Sequence, residues 1–113
     1  MLPMARTASF DLIPDNVPGM LRLLGRRLRA ARIRRRLRQE DVAEKLGFSR
    51  ATIQAVERGN MTTAMGVYLS VLWVYRLERE VDLLADPGLD RDGLALSFDV
   101  GEMRVRIDRK CTV

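Results

Sequence analysis

The sequence predicts a mainly α-helical protein, with five helices followed by a short C-terminal β-strand or hairpin. Two observations lead to this fold class: apolar residues recur every three or four positions over most of the chain, and the repeat shortens to two near the C-terminus. A chain of 113 residues with 5% aromatic residues can form one modest core of aliphatic side chains. We expect an arm over residues 1–18, a helical domain over 19–85 and a β extension over 86–113.

Each predicted helix is supported by an apolar stripe and by residues that favour helix ends. In the first helix, four apolar residues share one face: Leu21, Leu24, Leu28 and Ala31. Gly47 ends the second helix, and Ser49 can cap the third, which stops at Gly59. The first and second helices are predicted over residues 19–36 and 39–46, and the fourth and fifth over residues 62–75 and 78–85. The fifth ends before an Asp-Pro-Gly turn.

The C-terminal residues change to the repeat of a β-strand. Over residues 103–107, apolar side chains alternate with charged ones, which is typical of a strand with one buried face. A second strand is predicted from Leu94, Leu96 and either Phe98 or Val100. Because an isolated hairpin is only marginally stable, we expect the extension to pack on the helices or to pair with another chain.

Positive charge is concentrated in one block of arginines. The formal net charge is +5, and no acidic residue lies between Asn16 and Gln39. Arginine forms bidentate contacts with phosphate, and neutralising phosphates releases counterions. The block therefore indicates a nucleic-acid partner, although charge alone leaves DNA, RNA and an anionic membrane open. Its members are Arg22, Arg26, Arg27, Arg29, Arg32, Arg34, Arg35, Arg36 and Arg38.

The composition argues against several other classes of protein. There is no histidine and Cys111 is the single cysteine, so metal clusters, histidine-based catalysis and an internal disulfide framework are not expected. We accordingly expect no cofactor, no metal and no enzymatic activity. No apolar run approaches the roughly 20 residues that cross a bilayer, and the first residues lack a basic segment leading into an apolar stretch, so we expect no secretory signal. A cytoplasmic protein, associated with the nucleoid through DNA, is the expectation.

Residues 37–59 carry the motif that points to a function, LRQEDVAEKLGFSRATIQAVERG. Gln39 begins the first helix of the motif, Ala43 lies within that helix, and Gly47 is at the turn. The patterns Ser-x-x-x-Ile (residues 49–53) and Val-Glu-x-Gly (residues 56–59) follow. The motif closely resembles the helix-turn-helix of the Cro/C1 (XRE) family of bacterial and phage regulators, over roughly residues 21–84. The resemblance implies a five-helix, lambda-repressor-like domain that binds double-stranded DNA. Such proteins regulate transcription, usually as homodimers that repress from a palindromic operator.

The resemblance also implies roles for individual residues. The outer N-terminal turns of the third helix would enter the major groove, where Arg50 could read a base or hold a phosphate. Gln39 matches a phosphate-clamping glutamine, and Arg32 with Glu57 matches a buried structural ion pair, although Arg32 could instead be one more surface charge. The expected DNA-binding residues are Gln39, Ser49, Arg50, Ala51, Thr52, Gln54, Ala55, Arg58 and Asn60.

Apolar residues within and after the motif should have structural roles. Ala43 would allow the two short helices to approach, and a seam between them is expected from Val42, Leu46, Ile53 and Val56. The fourth predicted helix is apolar almost all round, so it should have more than one buried face. One of those faces could join two subunits, with Trp73 as an anchor, or it could be covered by the C-terminal hairpin.

A second functional hypothesis rests on the C-terminal extension. The predicted turn and strands over residues 86–107 resemble the extension of HipB-type antitoxins, which pair strands across a dimer. An antitoxin of a type II toxin–antitoxin pair would bind a toxin protein and also repress its own operon. RNA binding is disfavoured, because the deep and narrow major groove of A-form RNA excludes a helix.

Overall fold

A computed structural model of the protein describes residues Phe10–Asp99. Over this range the chain forms α-helices and short 3₁₀-helices and no strand. None of the described helices combines the length and the hydropathy that crossing a membrane would require. Two compact units are present, the first ending at Glu78 and the second beginning at Arg79. The α-helices are α1 (Asn16–Arg34), α2 (Gln39–Leu46), α3 (Arg50–Glu57), α4 (Met65–Val74) and α5 (Arg91–Asp99).

The core of the first unit is built from the apolar stripes of α1 to α4. The stripe predicted for α1 is buried at Leu28 and Ala31 and half-buried at Leu24. The predicted seam between α2 and α3 is also present, and Leu46 is the only member that is half-buried rather than buried. The fully or almost fully buried apolar residues are Leu28, Ala31, Val42, Ala43, Ile53, Val56, Tyr68, Val71, Leu72 and Tyr75.

Two glycines bring the backbone of α1 against the C-terminal end of α3. A Cβ atom on Gly25 would lie 2.6 Å from the backbone oxygen of Glu57, and one on Gly59 would lie 2.5 Å from the Cα atom of Arg22. Gly59 also has a φ of 72°, which side chains with a Cβ rarely adopt. At both positions a larger residue would push α3 away from α1, so these contacts fix the distance between the two helices.

A tight turn joins α2 to α3. Gly47 ends α2 in the left-handed region, with φ 73° and ψ 23°, and the Phe48 amide donates back to the Ala43 carbonyl at 3.0 Å. Two residues later the hydroxyl of Ser49 accepts a hydrogen bond from the Thr52 amide at 3.2 Å and caps α3. The Gly47 stop and the Ser49 cap are thus both observed where the sequence predicts them.

The C-terminal end of α4 is tied to the C-terminal end of α1 by Arg35. Its Nη1 donates to the Ala31 carbonyl at 2.9 Å, and its Nη2 donates to the Tyr75 carbonyl at 3.0 Å. The Arg35 guanidinium carbon also lies 5.4 Å from the centroid of the Tyr75 ring, within the range of a cation–π interaction. Arg35 therefore covers a residue that is itself completely buried.

The strand predicted over residues 94–100 is wrong for the residues that the structure describes. They belong to α5, whose start is stabilised because the Asp90 side chain accepts from the Gly93 amide at 2.9 Å. The alternation of apolar residues there is too short to distinguish a strand from a helix, and the N-terminal cap favours the helix. The strand predicted over residues 103–107 lies outside the described residues, as does the arm up to residue 9.

Several predicted helix bounds also differ from the observed ones. Helix α1 begins at Asn16, before the predicted residue 19, because Pro18 is tolerated in a first turn. Helix α4 begins at Met65, after the predicted caps at residues 62–63. The α-helix predicted over 78–85 is instead a 3₁₀-helix over Glu78–Leu83, followed by a shorter one over Pro87–Leu89.

The hydroxyl of Tyr75 generates a prediction about stability. It is buried and has no hydrogen-bond partner among the described residues. Because an unpaired buried hydroxyl is unfavourable, Tyr75→Phe should raise the free energy of unfolding by up to about 1 kcal/mol.

Burial also raises the pKa of Tyr75 to about 12 from its ordinary 10.0. Because Tyr75 loses its proton less readily in the folded protein, the free energy of unfolding should be unaffected below pH 10 and should fall as the pH rises from 10 towards 12. Tyr75→Phe should remove this contribution to the fall.

The matched control is Tyr68→Phe, since the chain has only these two tyrosines. The Tyr68 hydroxyl donates to the Asn60 carbonyl at 2.9 Å, so its removal should lower the free energy of unfolding by about 1 kcal/mol. Urea unfolding at neutral pH and across the alkaline range measures both effects. Equal destabilisation by the two substitutions would contradict the prediction.

Candidate nucleic-acid interface

The outer face of α3 presents two long polar side chains among short ones. Ile53 and Val56 face the core, whereas Arg50 and Ala51 are exposed. The remaining residues of the expected reading face are half-buried: Thr52, Gln54 and Ala55. Short side chains let a helix approach a surface closely, while Arg50 and Gln54 can reach beyond them to donate hydrogen bonds.

Gln39, at the start of α2, contacts both ends of α3 through its side-chain amide. Its Nε2 donates to Oε1 of Glu57 at 3.0 Å, and its Oε1 accepts from Nε of Arg50 at 3.3 Å. One N–H of the Gln39 amide and the terminal nitrogens of Arg50 make no hydrogen bond to the described residues. The two side chains are therefore oriented by the fold and still have donors for a ligand.

Glu57 is the buried charge at the centre of this arrangement. Nε of Arg32 lies 2.6 Å from its Oε2, and Nη2 of Arg32 donates to its Oε1 at 3.1 Å. The Arg32 and Glu57 side chains are only 12% and 4% exposed, and Nη1 of Arg32 donates to the Leu37 carbonyl at 2.9 Å. The hydrogen bond to Glu57 raises the pKa of Arg32 above its ordinary value, so the guanidinium keeps its charge. Arg32, Glu57, Gln39 and Arg50 form what we call the Glu57 network.

Other expected site residues are partly occupied by local hydrogen bonds. Besides capping α3, the hydroxyl of Ser49 lies 3.0 Å from that of Thr52. Oδ1 of Asn60 accepts from the backbone amide of Thr62 at 2.8 Å and from its hydroxyl at 2.7 Å. Asn60 thus shapes the turn after α3 and keeps its amide nitrogen as a donor, while Arg58 beside it is exposed.

The arginine block divides into members that support the fold and members that do not. Arg32 and Arg35 bind buried or backbone groups, and Arg38 pairs with Asp41 at 3.1 Å at the start of α2. That pairing lowers the pKa of Asp41 below its ordinary value. The other arginines make no side-chain hydrogen bond or ion pair with the described residues and are all exposed: Arg22, Arg26, Arg27, Arg29, Arg34 and Arg36.

Sequence reasoning missed three of these features. It gave Gly25 no role, it assigned Gln39 only to phosphate, and it treated Arg35 as a member of the charged block. The position of Gly25 was a usable signal, because it lies seven residues before Arg32 and therefore on the same side of α1. The link between Gln39 and Glu57 joins residues 18 apart and follows only from the three-dimensional arrangement.

Breaking the ion pair on one side should destabilise the fold strongly. Arg32→Leu leaves the Glu57 carboxylate buried with Gln39 as its remaining partner, so the free energy of unfolding should fall by about 3–5 kcal/mol. The double variant Arg32→Leu with Glu57→Leu removes both charges and should be clearly less destabilised than the sum of the two single variants. Urea unfolding of all four proteins tests this. Additive losses would show that the two side chains do not act as a pair.

Comparison with known proteins identifies the architecture that these elements form. A family model described as a helix-turn-helix domain matches residues 23–84, which is more than half of the chain. Comparisons with curated proteins and with solved structures give no match. The matched range contains α2, the turn at Gly47, α3 and α4, together with the C-terminal part of α1. The chain therefore belongs to the XRE-like family of helix-turn-helix proteins.

Proposed function

We propose that the protein is a sequence-specific transcriptional regulator that binds double-stranded DNA as a homodimer and represses from a palindromic operator. The observation that carries the proposal is the placement of Arg50 and Gln39 side by side on the Glu57 network, next to the exposed face of α3. A helix-turn-helix inserts this helix into the major groove, with its N-terminal residues towards the base edges.

Arg50 is the strongest candidate for reading a base. Its Nε is held by Gln39, which leaves the terminal nitrogens to donate to the two acceptors of a guanine. Gln54 can pair with adenine, and the methyl groups of Ala51, Thr52 and Ala55 can contact thymine. Readout by α3 would then combine one charged donor with a surface that selects by shape.

Phosphate contacts would fix the position of α3 in the groove. The free N–H of the Gln39 amide suits a phosphate oxygen near the start of α2. At the other end of α3, Arg58 and the amide nitrogen of Asn60 are available for the flanking backbone, and Ser49 lies at the N-terminal edge. These contacts position the protein without carrying sequence information.

A dimer is supported by apolar surface that the first unit leaves uncovered. Helix α4 buries Tyr68, Val71 and Leu72, while Met65 and Trp73 on another side are each 59% exposed. Leu69 lies four residues from each of them, so the three form a stripe along α4. An exposed apolar stripe on a small protein marks an interaction site, and a two-fold axis would cover it with its own copy.

The C-terminal extension is the second expected contact between subunits. In the second unit Leu89, Leu94 and Leu96 are all exposed, and among the described residues from Arg79 onward none is buried. This surface also favours contact with another chain. The antitoxin hypothesis depended on a C-terminal hairpin, and part of that hairpin is helical, so the regulator is the function that we put forward.

Arg50→Ala should weaken binding to the selected operator by about 1–3 kcal/mol and relax the preference at one base position. Gln39→Ala should weaken binding to all duplexes, because it removes a phosphate contact. Because Gln39 also holds Arg50, the effects of the two substitutions on operator affinity should not be additive. Selection from a random duplex pool, followed by fluorescence anisotropy, measures both base preference and affinity.

Arg27→Ala is the matched control for these variants, since it removes one exposed arginine of α1 without touching the Glu57 network. It should keep the base preference of the unsubstituted protein. An Arg50→Ala protein that selects the same sequence with the same affinity would place Arg50 outside the readout. A protein that binds no duplex selectively would contradict the proposed function.

Trp73→Lys should convert the dimer to a monomer, because it places a charge in the proposed interface while leaving the core intact. Ile33→Lys is the control, since Ile33 is also an exposed apolar residue but lies on α1. Sedimentation equilibrium gives the oligomeric state, and circular dichroism verifies the helices. If both variants remain dimers, the interface lies elsewhere, with the C-terminal extension as the next surface to test.

A further inference from the structure

We infer that one flank of α1 is a second DNA-backbone surface, formed by Arg22 and Arg29 together with Arg58, and that it contacts phosphates beyond the base pairs read by α3. We call these three residues the α3-side arginines. The inference rests on the proposed DNA-binding function and extends it from the recognition helix to α1. It also distinguishes this flank of α1, which binds DNA, from the side of the helix that points away from α3, which does not.

The orientation of α1 is set by two residues that face α3. Gly25 packs so closely that a Cβ there would lie 2.6 Å from the Glu57 backbone oxygen. Arg32 reaches the same residue, with its Nε 2.6 Å from Glu57 Oε2. Gly25 and Arg32 are seven residues apart and therefore lie on one side of the helix, two turns from each other. That side of α1 is the one that faces the C-terminal end of α3.

Arg22 and Arg29 lie on the flank next to this side. Each precedes one of the two facing residues by three positions, a spacing at which side chains on a helix are neighbours. A Cβ on Gly59 would touch the Arg22 backbone at 2.5 Å, which places Arg22 at the end of α3 where Arg58 immediately precedes Gly59. The side chains of all three arginines are exposed.

Arg27 and Arg34 lie on the side of α1 that points away from α3. Each follows one of the two facing residues by two positions, and at about 100° per residue this turns the side chain about 200° away from α3. They are also exposed, and they are also seven residues apart. The two pairs are therefore alike in charge, spacing and exposure and differ in the side of α1 that they occupy.

The α3-side arginines have no side-chain partner within residues 10–99, the part of the chain that the structure describes. None makes a side-chain hydrogen bond or ion pair with the described residues, in contrast to Arg32, Arg35 and Arg38. Like charges gathered at one junction repel each other, so their complement is a ligand with repeated negative charges. We assign DNA rather than another polyanion because the surface is continuous with α3, through Gly59 and Arg58.

The distance from the reading end of α3 fits adjacent phosphates. Helix α3 has 8 residues, which at 1.5 Å per residue separates its two ends by about 12 Å. One strand of DNA carries a phosphate about every 3.4 Å along the helix axis, so the far end of α3 lies at most about three to four phosphates further along the strand. The α3-side arginines would thus bind the backbone flanking the half-site.

Two double variants test the inference: Arg22→Gln with Arg29→Gln, and Arg27→Gln with Arg34→Gln. Affinity is measured as a function of salt on two duplexes, one ending at the selected half-sites and one extended by a helical turn on each side. The first variant should lose about tenfold or more in affinity for the extended duplex. Its log–log salt slope should also fall by about 2 per protomer, while the second variant keeps the unsubstituted slope.

The possible outcomes separate this inference from the proposed function. Equal losses in both double variants would show general electrostatic attraction and overturn the inference, as would an unchanged slope in the first variant. If the first variant is less stable but binds DNA normally once folded, Arg22 and Arg29 stabilise the C-terminal end of α3 through its helix dipole, and the inference is overturned. If the unsubstituted protein binds no duplex selectively, the proposed function itself fails. If the unsubstituted protein does bind a duplex selectively, but the first double variant keeps its affinity and salt slope, the proposed function stands without this surface.

Discussion

The Glu57 carboxylate is buried in the first unit, and its burial is tolerated because three nitrogen–oxygen contacts surround it. Two come from Arg32 on α1 and one from Gln39 on α2, so a single residue at the end of α3 ties three helices together. A buried carboxylate without these partners would lower the free energy of unfolding by several kcal/mol. The fold therefore keeps Arg32 and Gln39 in the positions that pair with Glu57. The position of Arg50 follows from the same restraint, because Gln39 holds it from the other side.

Much of the helical architecture could be predicted because local signals agree with the tertiary arrangement. The apolar stripe of α1, the Gly47 stop and the Ser49 cap each depend on neighbouring residues, and each is found as expected. Over residues 94–99 the local signal is ambiguous, since a short apolar alternation fits two periods and the Asp90 cap decides for the helix. The Gln39 contacts could not be predicted, because they join residues that only the fold brings together.

The arginine block shows why charge counted along a sequence is a coarse guide to function. Arg32 lies inside the protein and Arg35 joins the ends of two helices over Tyr75, so both guanidinium groups have structural roles. The neighbours that remain exposed lie on different sides of α1. Helical phase, rather than the number of arginines, decides which charges can act on one surface together.

The close approach at Gly25 and Gly59 has a consequence for how such a protein can change its specificity. Backbone atoms have no alternative rotamers, so a helix seated backbone against backbone keeps its angle whatever side chains it carries outside. The exposed residues of α3 can therefore be exchanged while the docking geometry stays constant. Scaffold and reading surface are in this sense separate parts, and new target sequences become accessible without a new fold.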